Sequence, residues 1–205
     1  MNEDEWLNAD TYAQNHFLLS LGSEQQLQRF LCACCRRVDS LLDDQTRGRV
    51  SQMAGYYRPA PGVALGDVWV AFRAAVEAAE KCAQGSLTAD ETKTAAEPAL
   101  QLFMHFGDIA AAAPAPEEDP AYDDAAVKMG SDAAGAADCA ASTIPSAAEL
   151  CVRVVASCVA YDEDAYYAGA EGDPEFDRTH PHMLARRAER AQQWLLLKQY
   201  FPDLP

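Results

Sequence analysis

Hydrophobic residues recur along most of this chain with the period of an α-helix. In several segments they return every three or four positions, whereas strict alternation of apolar and polar residues, which marks strands, is rare. Alanine, the residue with the highest helix propensity, is abundant. The pattern therefore predicts an all-α fold, either a helical bundle or a stack of helical hairpins, with an acidic, alanine-rich second half.

Capping signals divide the chain into helices. Three Ser/Thr-x-x-Glu/Gln sequences, beginning at Ser23, Thr88 and Ser146, match the capping box, in which two side chains satisfy each other's free backbone N–H groups. Aspartates supply two further N-caps, and Pro98 is expected to kink a helix or to open a new one. The predicted helices cover about 11–21, 23–42, 44–57, 67–84, 88–111, 121–142, 146–158 and 181–200.

The segment 112–120 is the clearest linker, because it is rich in proline and acid and has little to bury. It separates an N-terminal helical region, 1–111, from an acidic helical region with a basic last helix, 121–205, and we expect the two regions to pack as one domain. Alanine offers little surface to bury, so we expect the N-terminal part to be the better packed. In the last helix the inner face is predicted to carry the apolar residues Leu184, Ala188, Ala191 and Leu195.

Three cysteines and two arginines lie together in the sequence LCACCRRV, residues 31–38. At about 100° per residue, Cys34 falls at the centre of the apolar stripe, Cys35 at its margin, and Cys32 beyond it beside Arg29 and Arg36. The three thiols point in different directions, which favours helix packing over a zinc site. Two alternatives remain open: Cys32 as a reactive redox thiol, and Cys32 with Cys35 as half of a metal site.

This region resembles an uncharacterised family of alanine-rich bacterial proteins. The matching residues are EWL at 5–7 and LQRFLCACCRRVDSLLDDQTRGRV at 27–50, against a family pattern of EWL, LRLFACACCRR and D-x-R-S-R. The ending AERAQQWLLLKQYFPDLP is similar to the close of that pattern but lacks its Gly-Asn, and Asp39 replaces an aromatic residue. The resemblance implies a bacterial, cytoplasmic, helical protein and assigns no catalytic residue. It also suggests that Arg36 and Arg37 face a partner, although salt bridges to the acidic middle of the chain explain them more economically.

The charge of the chain restricts its partners. The formal net charge is −16, and residues 108–177 contain sixteen acidic residues against two basic ones, a net charge of −14. Such a field repels phosphate backbones and attracts basic proteins, so we expect no direct nucleic-acid binding. No apolar run is long enough for a membrane span, the first ten residues do not resemble a secretion signal, and the cysteines form no disulfide framework. We therefore expect a cytoplasmic protein.

No sequence motif names a reaction or a cofactor. The sequence favours a non-catalytic interaction or regulatory protein that presents an acidic helical surface to a basic protein partner. Arg29, Cys32, Arg36 and Arg37 are the candidate partner-binding residues. One alternative is a metal-dependent enzyme or metal-binding protein that uses His180 and His182 with the nearby carboxylates of residues 175 and 177. The other is a thiol-based redox sensor.

Overall fold

The computed structural model describes residues 1–56, 66–112, 121–161 and 179–204, and in these ranges the chain forms nine α-helices and no strands. This confirms the all-α prediction. The helices are α1 (Glu3–Asn8), α2 (Thr11–Ser20), α3 (Glu24–Leu41), α4 (Asp44–Ala54), α5 (Val68–Ala83), α6 (Ala89–Ala112), α7 (Asp124–Ala141), α8 (Ser146–Val159) and α9 (Pro181–Tyr200). None of them combines the length and apolarity needed to cross a membrane. Most of the predicted linker, 113–120, lies outside the described residues.

Most helices begin where the capping residues predict. The side chains of Ser23, Asp43 and Asp67 accept hydrogen bonds from backbone N–H groups at the starts of α3, α4 and α5. Thr88 and Glu91 form a complete capping box, with the Glu91 carboxylate accepting from the Thr88 N–H at 2.8 Å. Local hydrogen bonding therefore sets these boundaries.

The capping box predicted at Ser146 is wrong. Pro145 takes the N-cap position of α8 and makes no side-chain capping bond. The Ser146 hydroxyl instead accepts a hydrogen bond from Asn15 Nδ2 at 3.1 Å, which ties α2 to α8. The Glu149 side chain points into the interior, where its carboxylate pairs with arginines and not with the N-terminus of α8.

Helix α7 lies at the centre of the molecule and packs on α3, α4, α5, α6 and α8. Twelve of its eighteen residues are buried, although most of them are alanine or glycine. The expectation that the second half packs less well is therefore wrong for this helix. Small side chains let neighbouring helices approach closely, and Gly130 leaves the space that the ring of buried Phe106 from α6 fills.

The inner face predicted for α9 is also wrong. Leu184 and Leu195 are each 53% exposed, and Ala188 is exposed as well. The side that packs on α3 and α8 carries polar as well as apolar residues, which are His182, Arg186, Glu189, Arg190, Gln193, Trp194 and Leu197. The Glu149 carboxylate of α8 pairs with the buried Arg186 and Arg190, so apolar periodicity alone indicates the wrong face.

Candidate functional site

All three cysteines of the α3 cluster are buried, because α3 packs against α5, α7, α8 and α9. The interior position predicted for Cys34 is confirmed. The positions predicted for Cys35, at the margin, and for Cys32, outside the apolar stripe, are wrong, since their exposed fractions are 0% and 2%. Neighbouring helices cover α3 on several sides, so the buried part of its surface is wider than its apolar stripe.

The environment of Cys32 does not favour redox chemistry. Its Sγ lies 4.0 Å from the Val76 carbonyl oxygen of α5. Burial, together with the neighbouring Cys35 and Glu80, raises the pKa of the Cys32 thiol well above its ordinary value. The reactive form of cysteine is the thiolate, so this thiol is a poor nucleophile at neutral pH.

Three of the four predicted partner-binding residues line one pocket. It has a volume of about 580 Å³, opens to solvent, and is bordered by Arg29, Cys32, Ala33, Arg36, Glu80, Gln84 and Tyr200. Arg36 forms two hydrogen bonds with the Glu80 carboxylate, at 2.9 and 2.7 Å. Arg29 donates to the Ala83 carbonyl at the end of α5 at 3.2 Å. The guanidinium of Arg29 has further N–H groups with which the pocket could hold an acidic group.

Arg37, the fourth predicted residue, lies apart from this pocket. Its Nε donates to both carboxylate oxygens of Glu189 on α9 at 3.0 Å, and Glu189 is 1% exposed. Arg36 and Arg37 are therefore both paired within the chain. The expectation that the acidic middle supplies these partners is wrong, because Glu80 and Glu189 lie outside residues 108–177.

A buried ionic cluster joins α8 to α9. Glu149 accepts from Arg186 and, at 3.1 Å, from Arg190, while Arg153 Nε lies 3.5 Å from the same carboxylate. The sequence reasoning missed this cluster. The only local signals are the i, i+4 spacings of Glu149 with Arg153 and of Arg186 with Arg190.

The two histidines of the metal-binding alternative have local structural roles. His180 is the N-cap of α9, and its Nδ1 accepts from the His182 backbone N–H at 3.2 Å. His182 is buried, with Nδ1 2.9 Å from the Ala160 carbonyl oxygen. Residues 175 and 177 lie outside the described residues, and within the described ranges no three metal-ligating side chains converge.

One surface combines exposed apolar side chains with acidic ones. We call it the α6 outer face; it comprises Glu97, Leu100, Phe103, Met104, Gly107 and Asp108. Phe103 is 40% and Met104 62% exposed, and both carboxylates are exposed. At about 100° per residue Glu97, Met104 and Asp108 lie within about 40° of one another, so they form one stripe along α6.

Asp138 of α7 extends the negative charge beside the α6 outer face. Its pKa is raised, first by partial burial and second by the negative charge of Glu97. Asp108 makes no ion pair with any residue that the structure describes. By contrast, Asp132 and Glu149 of the acidic span are buried and neighbour arginines. Of the acidic residues of that span that the structure describes, Asp108 is exposed, whereas Asp123, Asp124 and Asp138 are half-buried.

Comparison of the chain with protein-family models, curated proteins and solved structures gave no match. The resemblance of residues 5–7 and 27–50 to an alanine-rich bacterial family therefore stays a prediction.

Proposed function

We propose that the protein is a non-catalytic interaction protein of the bacterial cytoplasm that presents its α6 outer face to a protein partner with a basic surface. The observation that carries this proposal is the exposure of Met104 between the carboxylates of Glu97 and Asp108, with Phe103 partly exposed at the edge of the same face. A partner that covers large exposed apolar side chains removes them from water, which favours binding. Carboxylates beside them favour a partner of opposite charge.

The shape of the face suits a helical partner. Glycine at position 107 leaves open space beside Phe103 and Met104, because no atom lies within 4 Å of where its Cβ would be. Methionine adapts its shape to a partner, and an amphipathic helix presents apolar side chains at the three- and four-residue spacing found here. A helix with basic residues beside its apolar stripe is the expected occupant.

The proposal is tested by capturing partners from the cells that make the protein. Wild-type protein should retain a partner that Glu97→Lys/Asp108→Lys loses, because two attractions become repulsions. Met104→Ser should also weaken capture, since it removes apolar contact without changing charge. The matched control is Glu3→Lys/Asp203→Lys, which changes net charge equally at exposed residues outside α6.

Captured proteins are identified by mass spectrometry, purified and titrated against each variant. We expect the Kd to rise about tenfold or more for the α6 double variant, a loss of about 1.4 kcal/mol, and to change little for the control. Equal loss in both double variants would mean that only net charge matters, and equal binding by all variants would reject the α6 outer face as the binding surface.

A further inference from the structure

A second exposed stripe, on α9, has the opposite charge. We call it the α9 outer face; it comprises Leu184, Arg187, Ala188, Ala191, Leu195 and Lys198. The two leucines are each 53% exposed, and Arg187 has no ion pair within the described part of the chain. Lys198 Nζ lies 5.8 Å from the ring centroid of buried Trp194. The face is apolar along its middle and basic along one edge.

The charges on the two faces have the same spacing. Arg187 and Lys198 are eleven residues apart, as are Glu97 and Asp108. Eleven residues make about three helical turns and about 16 Å, so each pair lies along one side of its helix. Two helices that pack side by side can therefore align both pairs of opposite charges at once.

The side chains between the charges are complementary in size. Ala188 and Ala191 let another helix approach closely, whereas Phe103 and Met104 project from α6. Leu184 and Leu195 can in turn cover the apolar surface around Gly107. Small residues opposite large ones permit helices to interdigitate.

We propose that the α6 outer face binds a second copy of this chain, which docks through its α9 outer face. This inference rests on the proposed function and names the partner. Within the described part of one molecule the two faces lie on helices with different neighbours, because α6 packs on α4, α5 and α7 while α9 packs on α1, α3 and α8. A contact between unlike faces is heterologous, so two joined copies still leave one face of each kind uncovered. Assembly therefore continues beyond the dimer as concentration rises.

The net charge of −16 opposes assembly at low ionic strength, because whole copies repel one another. At about 0.15 M salt the Debye length is about 8 Å, which screens distant charges more than contacting ones. The association is therefore measured at this salt concentration, by sedimentation velocity and light scattering, up to about 1 mM protein. That range detects contacts as weak as a millimolar Kd.

Two charge-reversed variants test the contact. Glu97→Lys/Asp108→Lys has two basic faces, and Arg187→Glu/Lys198→Glu has two acidic ones. Wild type should increase in mass with concentration, and each variant alone should stay monomeric. An equimolar mixture of the two variants should associate again, because each then meets a face of opposite charge. All these residues are exposed, and circular dichroism checks that each variant keeps its helices.

A monomeric wild type at all concentrations, or a mixture that does not associate, would overturn the inference. If wild type is monomeric but loss of cellular capture still follows the α6 substitutions, the proposed function stands with a different partner. If both experiments fail, the α6 outer face is not a binding surface.

Discussion

Glu149 is a buried carboxylate with three arginines around it. Burial on its own raises its pKa, but the positive charges of Arg186, Arg190 and Arg153 outweigh burial and leave the pKa below its ordinary value. The side chain is therefore ionised at neutral pH and holds α9 against α8. From sequence, Glu149 fits a helix cap, because only its neighbours in the chain are visible. Arg186 and Arg190 lie more than thirty residues away, and local patterns do not reveal such a pair.

Replacing Glu149 with Gln should destabilise the protein strongly. The substitution keeps the size of the side chain but leaves buried arginines without their counter-charge, a change that costs about 3–5 kcal/mol in other proteins. Urea unfolding at neutral pH measures the loss. Glu77→Gln is the control, because Glu77 forms an exposed pair with Lys81, and it should change stability little.

The pH dependence of the stability of wild type and Glu149→Gln tests whether the charge of Glu149 is the cause of the difference. Because the folded-state pKa of Glu149 is depressed, its contribution is complete above the unfolded-state pKa near 4.5 and is lost as pH falls through the folded value. The stability difference between wild type and Glu149→Gln should therefore narrow on acidification. A difference that stays constant down to about pH 3 would assign the effect to packing and not to charge.

At the scale of helices, the contact between α6 and α7 shows what sequence patterns predict and what they miss. Capping residues and helical periodicity located most helix boundaries, because both act within a few residues. Because glycine lowers helix propensity, the sequence alone predicts weak points of α7 at Gly130 and Gly135. In the folded protein Gly130 faces the Phe106 ring. Because glycine has no side chain, α6 can approach α7 at this point. The sequence around Gly130 does not show that the fold places Phe106 opposite it.

Gly130→Ala should therefore destabilise the protein although alanine favours helix. A Cβ at this position would clash with the Phe106 ring, and overpacking of this kind costs about 1–3 kcal/mol. Gly48→Ala in α4 is the matched control, because no atom lies within 4 Å of its Cβ position. It should stabilise the protein by about 0.5–1 kcal/mol. The midpoint of thermal unfolding should fall in Gly130→Ala and rise in Gly48→Ala. A higher midpoint in Gly130→Ala would contradict the close contact between Gly130 and the Phe106 ring.

At the scale of the whole molecule, sequence predicted the fold class but not how charge is distributed. Net charge and the acidic span are readable from composition, and they predicted an acidic surface with a basic partner. Folding places Glu149 and Asp132 inside and exposes Leu184 and Leu195 of α9. Which charged residue is buried depends on whether another helix brings a counter-charge. The α6 and α9 outer faces could therefore not be identified by periodicity alone.

The reactivity of the seven cysteines reports on the intact fold. Cys32, Cys34, Cys35 and Cys151 are buried, whereas Cys82 and Cys139 are half-buried and Cys158 is exposed. A thiol reagent should modify Cys82 in the native protein, and Cys139 and Cys158, whose pKa values burial raises to about 11, more slowly. The four buried thiols should react only through unfolding, slower by a factor of about 10³ or more, and fully in denaturant. Peptide mass mapping assigns each site. Rapid native labelling of Cys32 would contradict its burial and favour the redox-sensor alternative, since only an accessible thiolate can react with an oxidant.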